Sequence, residues 1–253
     1  VRQSVSMSRM NGRQVLVVGA TSGIGLATAR ALASEGARVA LSARRVEKLD
    51  AEVAALGAQH IAVPCDVRDA EACKRAVAQA VDGLGGLTDF VYTAGSATLS
   101  NVADATSEQW RQAFEINVVG PSLLTSAALP HLAKSRGRAL YVSTVASEDR
   151  PPRRGLALYS ATKAALNRLI ESWQEEERAV GFTRVTIGDT HGTEMAKDWD
   201  PAATGEIVRE WVAKGFLYGR TMAPEDVALH LVDLLALRET VPFSSLIPRY
   251  PEP

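Results

Sequence analysis

Tyr159 and Lys163 are the side chains in this sequence whose types and spacing most directly suggest chemistry. They stand in Tyr159-Ser160-Ala161-Thr162-Lys163, at the start of a helical pattern over 158–180, and residues four apart on a helix share a face. A phenol with a pKa of about 10 is a poor general base near neutrality. A neighbouring ammonium favours the phenolate, so the pair predicts a tyrosine brought down towards the working range. Such a group exchanges a proton with a carbonyl or alcohol oxygen. Tyr-x-x-x-Lys alone is a frequent coincidence, and its meaning depends on what precedes it.

What precedes it is a phosphate seat. Residues 15–25 read Val-Leu-Val-Val-Gly-Ala-Thr-Ser-Gly-Ile-Gly. Val15 to Val18 have the length of a buried parallel strand, and Gly19, Thr21, Ser22, Gly23, Ile24 and Gly25 form the turn into a helix over about 24–34. That order points a helix N-terminus and bare backbone N–H groups at an anion, although a tight turn alone would also use glycine. The spacing is G-x-x-x-G-x-G, not the general G-x-G-x-x-G. At the end of the next strand, Ala43 stands where a carboxylate would hold a ribose 2′-hydroxyl, and Arg44 and Arg45 follow. Two guanidiniums without a competing acid predict a bound 2′-phosphate, hence NADP(H) over NAD(H). The alternative is that they open a solvated helix.

The elements that must position these groups alternate along the chain. Strands are expected at 38–43, 59–64, 88–93, 138–143 and 183–187, with helices at 46–56, 69–81 and 158–180. A long helical pattern over 106–134 carries Pro121 and Pro130 as bends or boundaries. Strands separated by helices imply right-handed crossovers and a doubly wound parallel sheet with helices on both faces, an α/β fold. Sites on such sheets lie at the carboxyl ends of the strands, where every segment above falls.

Composition sets the bounds. The 253 residues suit one large domain, with 1–12 as a flexible leader and 13–253 as the folded unit. With 28 basic and 29 acidic residues the net charge is -1, so no broad field invites nucleic acid or an anionic membrane. Cys65 and Cys73 lack metal-type spacing and read as reduced thiols of a cytoplasmic protein, and no metal site is expected. No apolar run reaches the length of a membrane span.

Together these motifs resemble the short-chain dehydrogenase/reductase family, over about residues 13–237. The turn resembles its T-G-x-x-x-G-I-G, with Val18 in place of the usual Thr. The resemblance implies a Rossmann-type fold, with Tyr159 as catalytic acid/base and Lys163 also binding the nicotinamide ribose. Asp66-Val67 resembles the family's pair beside the adenine, although Asp66 could equally cap the next helix. Tyr92-Thr93-Ala94-Gly95 resembles Asn-Asn-Ala-Gly. Ala94 and Gly95 keep the backbone approach to the cofactor, while the lost asparagines alter local hydrogen bonding. Asn117 matches the asparagine that holds a relay water, or bonds locally within its helix. The substrate-orienting hydroxyl aligns with Thr144, with Ser143 and then Ser147 as the other candidates. The loop from there to Tyr159, with Pro151-Pro152-Arg153-Arg154, is about two residues longer than usual.

After the sixth strand, Ile187-Gly-Asp-Thr-His-Gly-Thr-Glu194 lacks the family's proline but keeps Gly188 and a Thr193 for the nicotinamide amide; His191 is either a substrate contact or a plain loop residue. Residues 190–223 are the expected substrate lid. Met195, Trp199, Trp211, Phe216, Leu217, Tyr218 and Met222 suggest a hydrophobic ketone or alcohol, or helix faces packing on the core. The family's final Val-Asp-Gly-Gly strand is missing, and Phe243 to Tyr250 stands there. The resemblance implies an NADP(H)-dependent oxidoreductase acting on a small-molecule carbonyl or alcohol, and a homo-oligomer, tetramer or dimer. A catalytically silent NADP(H)-binding sensor is the alternative, and an unrelated reaction on the same scaffold a second one.

Overall fold

The computed structural model describes residues 8–217 and 220–248. In chain order its regular elements are β1 (Gln14–Val18), α1 (Gly23–Ser34), β2 (Arg38–Ala43), α2 (Val46–Leu56), β3 (Ile61–Pro64), α3 (Ala70–Leu84) and β4 (Asp89–Tyr92). There follow α4 (Ser107–Phe114), α5 (Gly120–Ser135), β5 (Arg138–Thr144), α6 (Ala157–Glu176), β6 (Gly181–Ile187), α7 (Pro201–Ala213), α8 (Pro224–Ala236) and β7 (Phe243–Leu246). The strands form one sheet in the order β3-β2-β1-β4-β5-β6-β7, with every pairing parallel.

The apolar strand runs reflect burial on both faces. Along β1, Leu16 and Val18 enter a core with Ala76 and Val77 of α3, Leu124 and Leu132 of α5, and Leu166 and Ile170 of α6. Val15 and Val17 enter the opposite core with Leu32 of α1, Leu49 of α2 and Leu231 of α8. Strand order reverses between β1 and β4, which opens a crevice at their carboxyl ends.

Three differences from the sequence reading have physical causes. The 106–134 pattern changes its winding part-way: a π-helical turn, Glu115–Val119, joins α4 to α5, and Pro121 follows it in the first turn of α5. Pro130 lies inside α5 without ending it. The atypical C-terminus does supply a final strand, β7, because Arg184 to Ile187 of β6 offer it a free edge in register with Phe243 to Leu246. Of the segment expected as a leader, residues 8–12 instead pack down: Met10 is fully buried, its N–H bonds the Glu35 carbonyl at 3.0 Å, and Arg9 pairs with Glu35 and Asp233. Residues 1–7 of that segment, Tyr218, and Arg249 onwards lie outside the described residues. No helix among the described residues is long and apolar enough to cross a membrane.

Candidate active site

The β1–α1 turn is pressed against the end of β4. Gly19 has φ 92° and Gly23 φ 50°. A Cβ on Gly19 would lie 2.7 Å from the Ala94 nitrogen, and one on Gly25 2.3 Å from the Gly19 carbonyl oxygen. Thr93 donates its hydroxyl to the Val18 carbonyl at 2.7 Å, tying β4 to β1. Ser22 precedes α1 without capping it, and the first turn of α1 carries no acid. The first amides and the dipole of α1 are thereby left for an anion. Bare backbone, positive φ and an uncapped helix start fit a dinucleotide pyrophosphate. Thr193 lies over this turn, for a Cβ on Gly23 would meet its methyl at 3.3 Å. Ile24, partly buried, packs against the core beside α1.

Arg44 is exposed, whereas Arg45 is anchored: its Nη2 donates to Thr21 Oγ1 at 2.8 Å and its Nη1 to Glu194 Oε1 at 2.8 Å. Asp66 binds Arg68 at 2.6 Å, and Arg68 first, then Arg44, hold its carboxyl below the usual carboxylate range. The cap of α3 is Asp69, which accepts from the N–H groups of Glu71 and Ala72, so Asp66 is not spent on capping. Val67 is buried against Gly120. Ala94 borders the core, and Gly95 faces the polar centre, where a Cβ would be 3.4 Å from Asn117 Oδ1 and 3.6 Å from Lys163 Nζ.

That centre gathers Asn117, Thr144, Tyr159 and Lys163 from three segments, the π turn, β5 and α6. Asn117 sits in the π turn, fully buried. Its Nδ2 donates to the Ser96 carbonyl and to Thr162 Oγ1, each at 2.9 Å, and its Oδ1 accepts from the Ser96 N–H at 2.9 Å. Both amide hydrogens are used in joining the β4 loop to α6, which leaves the second lone pair of Oδ1 as the side chain's remaining hydrogen-bonding capacity. Strand alternation separates the two candidate hydroxyls on β5. Thr144 Oγ1 accepts the Ala146 N–H at 3.2 Å and its hydroxyl draws the Tyr159 phenol down, whereas Ser143 donates to Asn167 Oδ1 at 2.6 Å. Ser147 donates to the Thr144 carbonyl at 2.7 Å.

Burial works against the expected lowering of the tyrosine. Burial pushes the Tyr159 phenol up to about 12, against a smaller lowering by the Thr144 hydrogen bond. Lys163 donates to the Val142 carbonyl at 2.9 Å and lies over the tyrosine ring, 5.9 Å from its centroid. Burial draws the ammonium itself down to about 8.

The lid region closes the other side. Ala146, Leu156, Ile207, Trp211 and Phe216 form a separate buried cluster, with Leu99, Tyr159, Trp199, Val208 and Leu217 packed on it. Trp199 Nε1 donates to the Ala97 carbonyl at 2.8 Å and Trp211 Nε1 to the Arg154 carbonyl at 3.0 Å. Met222 belongs to the main core, and Met195 is exposed. Beneath the cluster lies Arg153, which is 4% exposed. Its Nε donates to Asp149 at 2.5 Å, its Nη1 to Asp189 at 2.7 Å and its Nη2 to the Phe216 carbonyl at 3.3 Å, with the guanidinium over the rings of Trp211 and Phe216. Sequence reasoning missed this clamp. Its signals were an arginine four residues after Asp149 in a lengthened loop, and Asp189 next to Gly188 in the stretch where a proline was missing. His191 is exposed, its Nδ1 2.9 Å from the Thr221 hydroxyl, at the base of the lid where Thr190 bridges Met222.

Residues 13–204 match the family model described as short chain dehydrogenase. An uncharacterised oxidoreductase of Methylorubrum extorquens is 34% identical over 88% of this chain and 90% of its own length. The human dehydrogenase/reductase SDR family member 2, mitochondrial, is 37% identical over 61% of this chain, a match spanning just over half, 56%, of that protein. Among solved structures, a short-chain dehydrogenase/reductase from Serratia marcescens superposes with a TM-score of 0.81 at 27% identity, covering 94% of this chain and 98% of that one. An alcohol dehydrogenase from the archaeon Thermococcus sibiricus, complexed with 5-hydroxy-NADP, gives 0.80 at 25% identity, covering 95% and 99%.

Proposed function

Because the chain belongs to the short-chain dehydrogenase family, whose oxidoreductases use a nicotinamide cofactor, we propose that it is an NADP(H)-dependent reductase of hydrophobic ketones. The observation that carries this reading is the placing of Tyr159, packed against the apolar lid cluster with Lys163 over its ring and the Thr144 hydroxyl drawing its phenol down. A phenol raised to about 12 is protonated at neutral pH and serves as a proton donor, which favours reduction.

In this mechanism the turn from Gly19 through Thr21, Ser22, Gly23, Ile24 and Gly25 holds the pyrophosphate, and Arg44 and Arg45 hold the 2′-phosphate. Asp66 and Val67 flank the adenine, Ala94 and Gly95 admit the cofactor to the backbone, and Thr193 faces the nicotinamide. When bound, the cofactor supplies the hydride that reaches the carbonyl carbon. Tyr159 gives its phenolic proton to the carbonyl oxygen, Thr144 orients that oxygen, and Lys163 holds the ribose and supports the phenolate that remains. Asn117 acts by fixing the β4 loop against α6. Arg153 holds the lid, residues 190–223, over the tyrosine. The exposed Phe114, Val119, Leu229 and Phe243 support a homo-oligomer, and the two buried free cysteines accord with a cytoplasmic setting.

The test is consumption of NADPH, with NADH alongside, across aliphatic, aromatic and cyclic ketones. The reading requires faster loss of NADPH than of NADH, with one alcohol formed per cofactor consumed. Tight binding of NADPH with no turnover of any ketone would instead make the protein a nucleotide sensor, and a preference for NADH would remove the phosphate role of Arg44 and Arg45.

A further inference from the structure

Glu194 occupies an unexpected place. It follows Thr193, which lies over Gly23, so the strap leading into the lid crosses the crevice between the pyrophosphate seat and the arginine pair. Its carboxylate reaches Arg45 Nη1 at 2.8 Å and Lys48 Nζ at 3.6 Å. Arg45 is preset for an anion on that edge, since its other edge is fixed by the hydroxyl and the carbonyl of Thr21. Arg45 and Glu194 each retain 36% side-chain exposure, so the pair is weak and exchangeable.

We propose that Glu194 is an internal substitute for the cofactor's 2′-phosphate, holding Arg45 and Lys48 until a nucleotide bearing that phosphate displaces it and releases the strap. The inference rests on the NADP(H) reading above. A phosphate monoester carries more negative charge and more acceptor oxygens than a carboxylate and forms stronger fork-shaped contacts with a guanidinium, so it wins the exchange. A neutral 2′-hydroxyl cannot displace the carboxylate, and a nucleotide lacking the phosphate binds with the strap still latched. Glu194 is thereby a specificity-determining residue: it lowers the affinity for every 2′-phosphorylated nucleotide by the strength of the bond it must surrender.

Calorimetric titration of the full chain with adenosine 2′,5′-bisphosphate and with 5′-AMP isolates this phosphate, because the two probes differ only there. Glu194→Gln should tighten the bisphosphate roughly fivefold and leave 5′-AMP unchanged, while Arg45→Ala should weaken the bisphosphate alone. If Arg45→Ala weakens the bisphosphate but Glu194→Gln leaves it unchanged or weaker, the Glu194 proposal is wrong and the NADP(H) reading stands. If neither Arg45→Ala nor Arg44→Ala alters the preference between the probes, the NADP(H) reading falls and the role of Glu194 falls with it.

Discussion

At the cofactor end of the cleft the structure is backbone against backbone: Gly19 and Gly25 bring the β1–α1 turn onto Thr93 and Ala94 with no room for a methyl group. At the proposed substrate end it is side chain against main chain and side chain, with Arg153 and Trp211 joining the β5–α6 loop, and Trp199 the loop after β4, to the segment that follows β6. A backbone site is fixed by steric exclusion and a few adjacent residues. A side-chain site is fixed by partners far apart in the chain, and it tolerates change in proportion to how many of those partners remain. The two ends therefore differ in how they should fail.

The largest effect is expected at the cofactor end. Gly25→Ala places a carbon 2.3 Å from the Gly19 carbonyl oxygen and 2.4 Å from Thr93 Oγ1. It should cost at least about 3 kcal/mol in denaturant unfolding and abolish NADPH binding by calorimetry. Lys163, between the two ends, should show itself in the pH dependence of stability. Its folded pKa of about 8 lies below the ordinary lysine value of 10.5, so between those values the unfolded chain binds the extra proton and stability rises with pH. The contribution is about 3 kcal/mol in full, and Tyr159, raised to about 12, opposes it only above pH 10. Urea unfolding at pH 7 and pH 10 should show the gain in the wild type and not in Lys163→Met.

On the substrate side, Thr144→Ala should lower kcat about a hundredfold with unchanged NADPH affinity, by loss of one donor at the reacting oxygen. Ser143→Ala, which loses only the bond to Asn167, should keep turnover and cost about 1 kcal/mol of stability. Equal losses in the two variants would erase the distinction drawn between the hydroxyls. Arg153→Ala leaves Asp149 and Asp189 without their cation and should cost about 2 kcal/mol, the carboxylates being partly exposed. Its kinetic signature is a raised KM for the ketone with NADPH affinity intact. A fall in cofactor affinity instead would show that the clamp serves both ends.

The difference between the two ends also governs what could be read in advance. The alternation of strands and helices, the glycine turn and the Tyr159–Lys163 pair were legible because each is local: a period, a turn residue or a four-residue helical spacing. The choice between Thr144 and Ser143 was open in one dimension, and the proposal for Thr144 rests on their alternation along β5, which leaves Ser143 on Asn167. The Arg153 clamp was hidden because its partners Asp189 and Phe216 lie 36 and 63 residues away. For the phenol of Tyr159, spacing reports that a cation is near but not the burial against the lid cluster that opposes it. The π turn at Glu115–Val119 carries no composition that marks it apart from the helices on either side.

The central claim is that a protonated Tyr159 completes reduction of a ketone by NADPH, and Tyr159→Phe tests it most directly. With a ketone that the wild type reduces, the variant should bind NADPH within about twofold of the wild-type affinity and lose at least about a thousandfold in kcat. Turnover persisting within about tenfold of the wild type would contradict the account and assign the proton to another group.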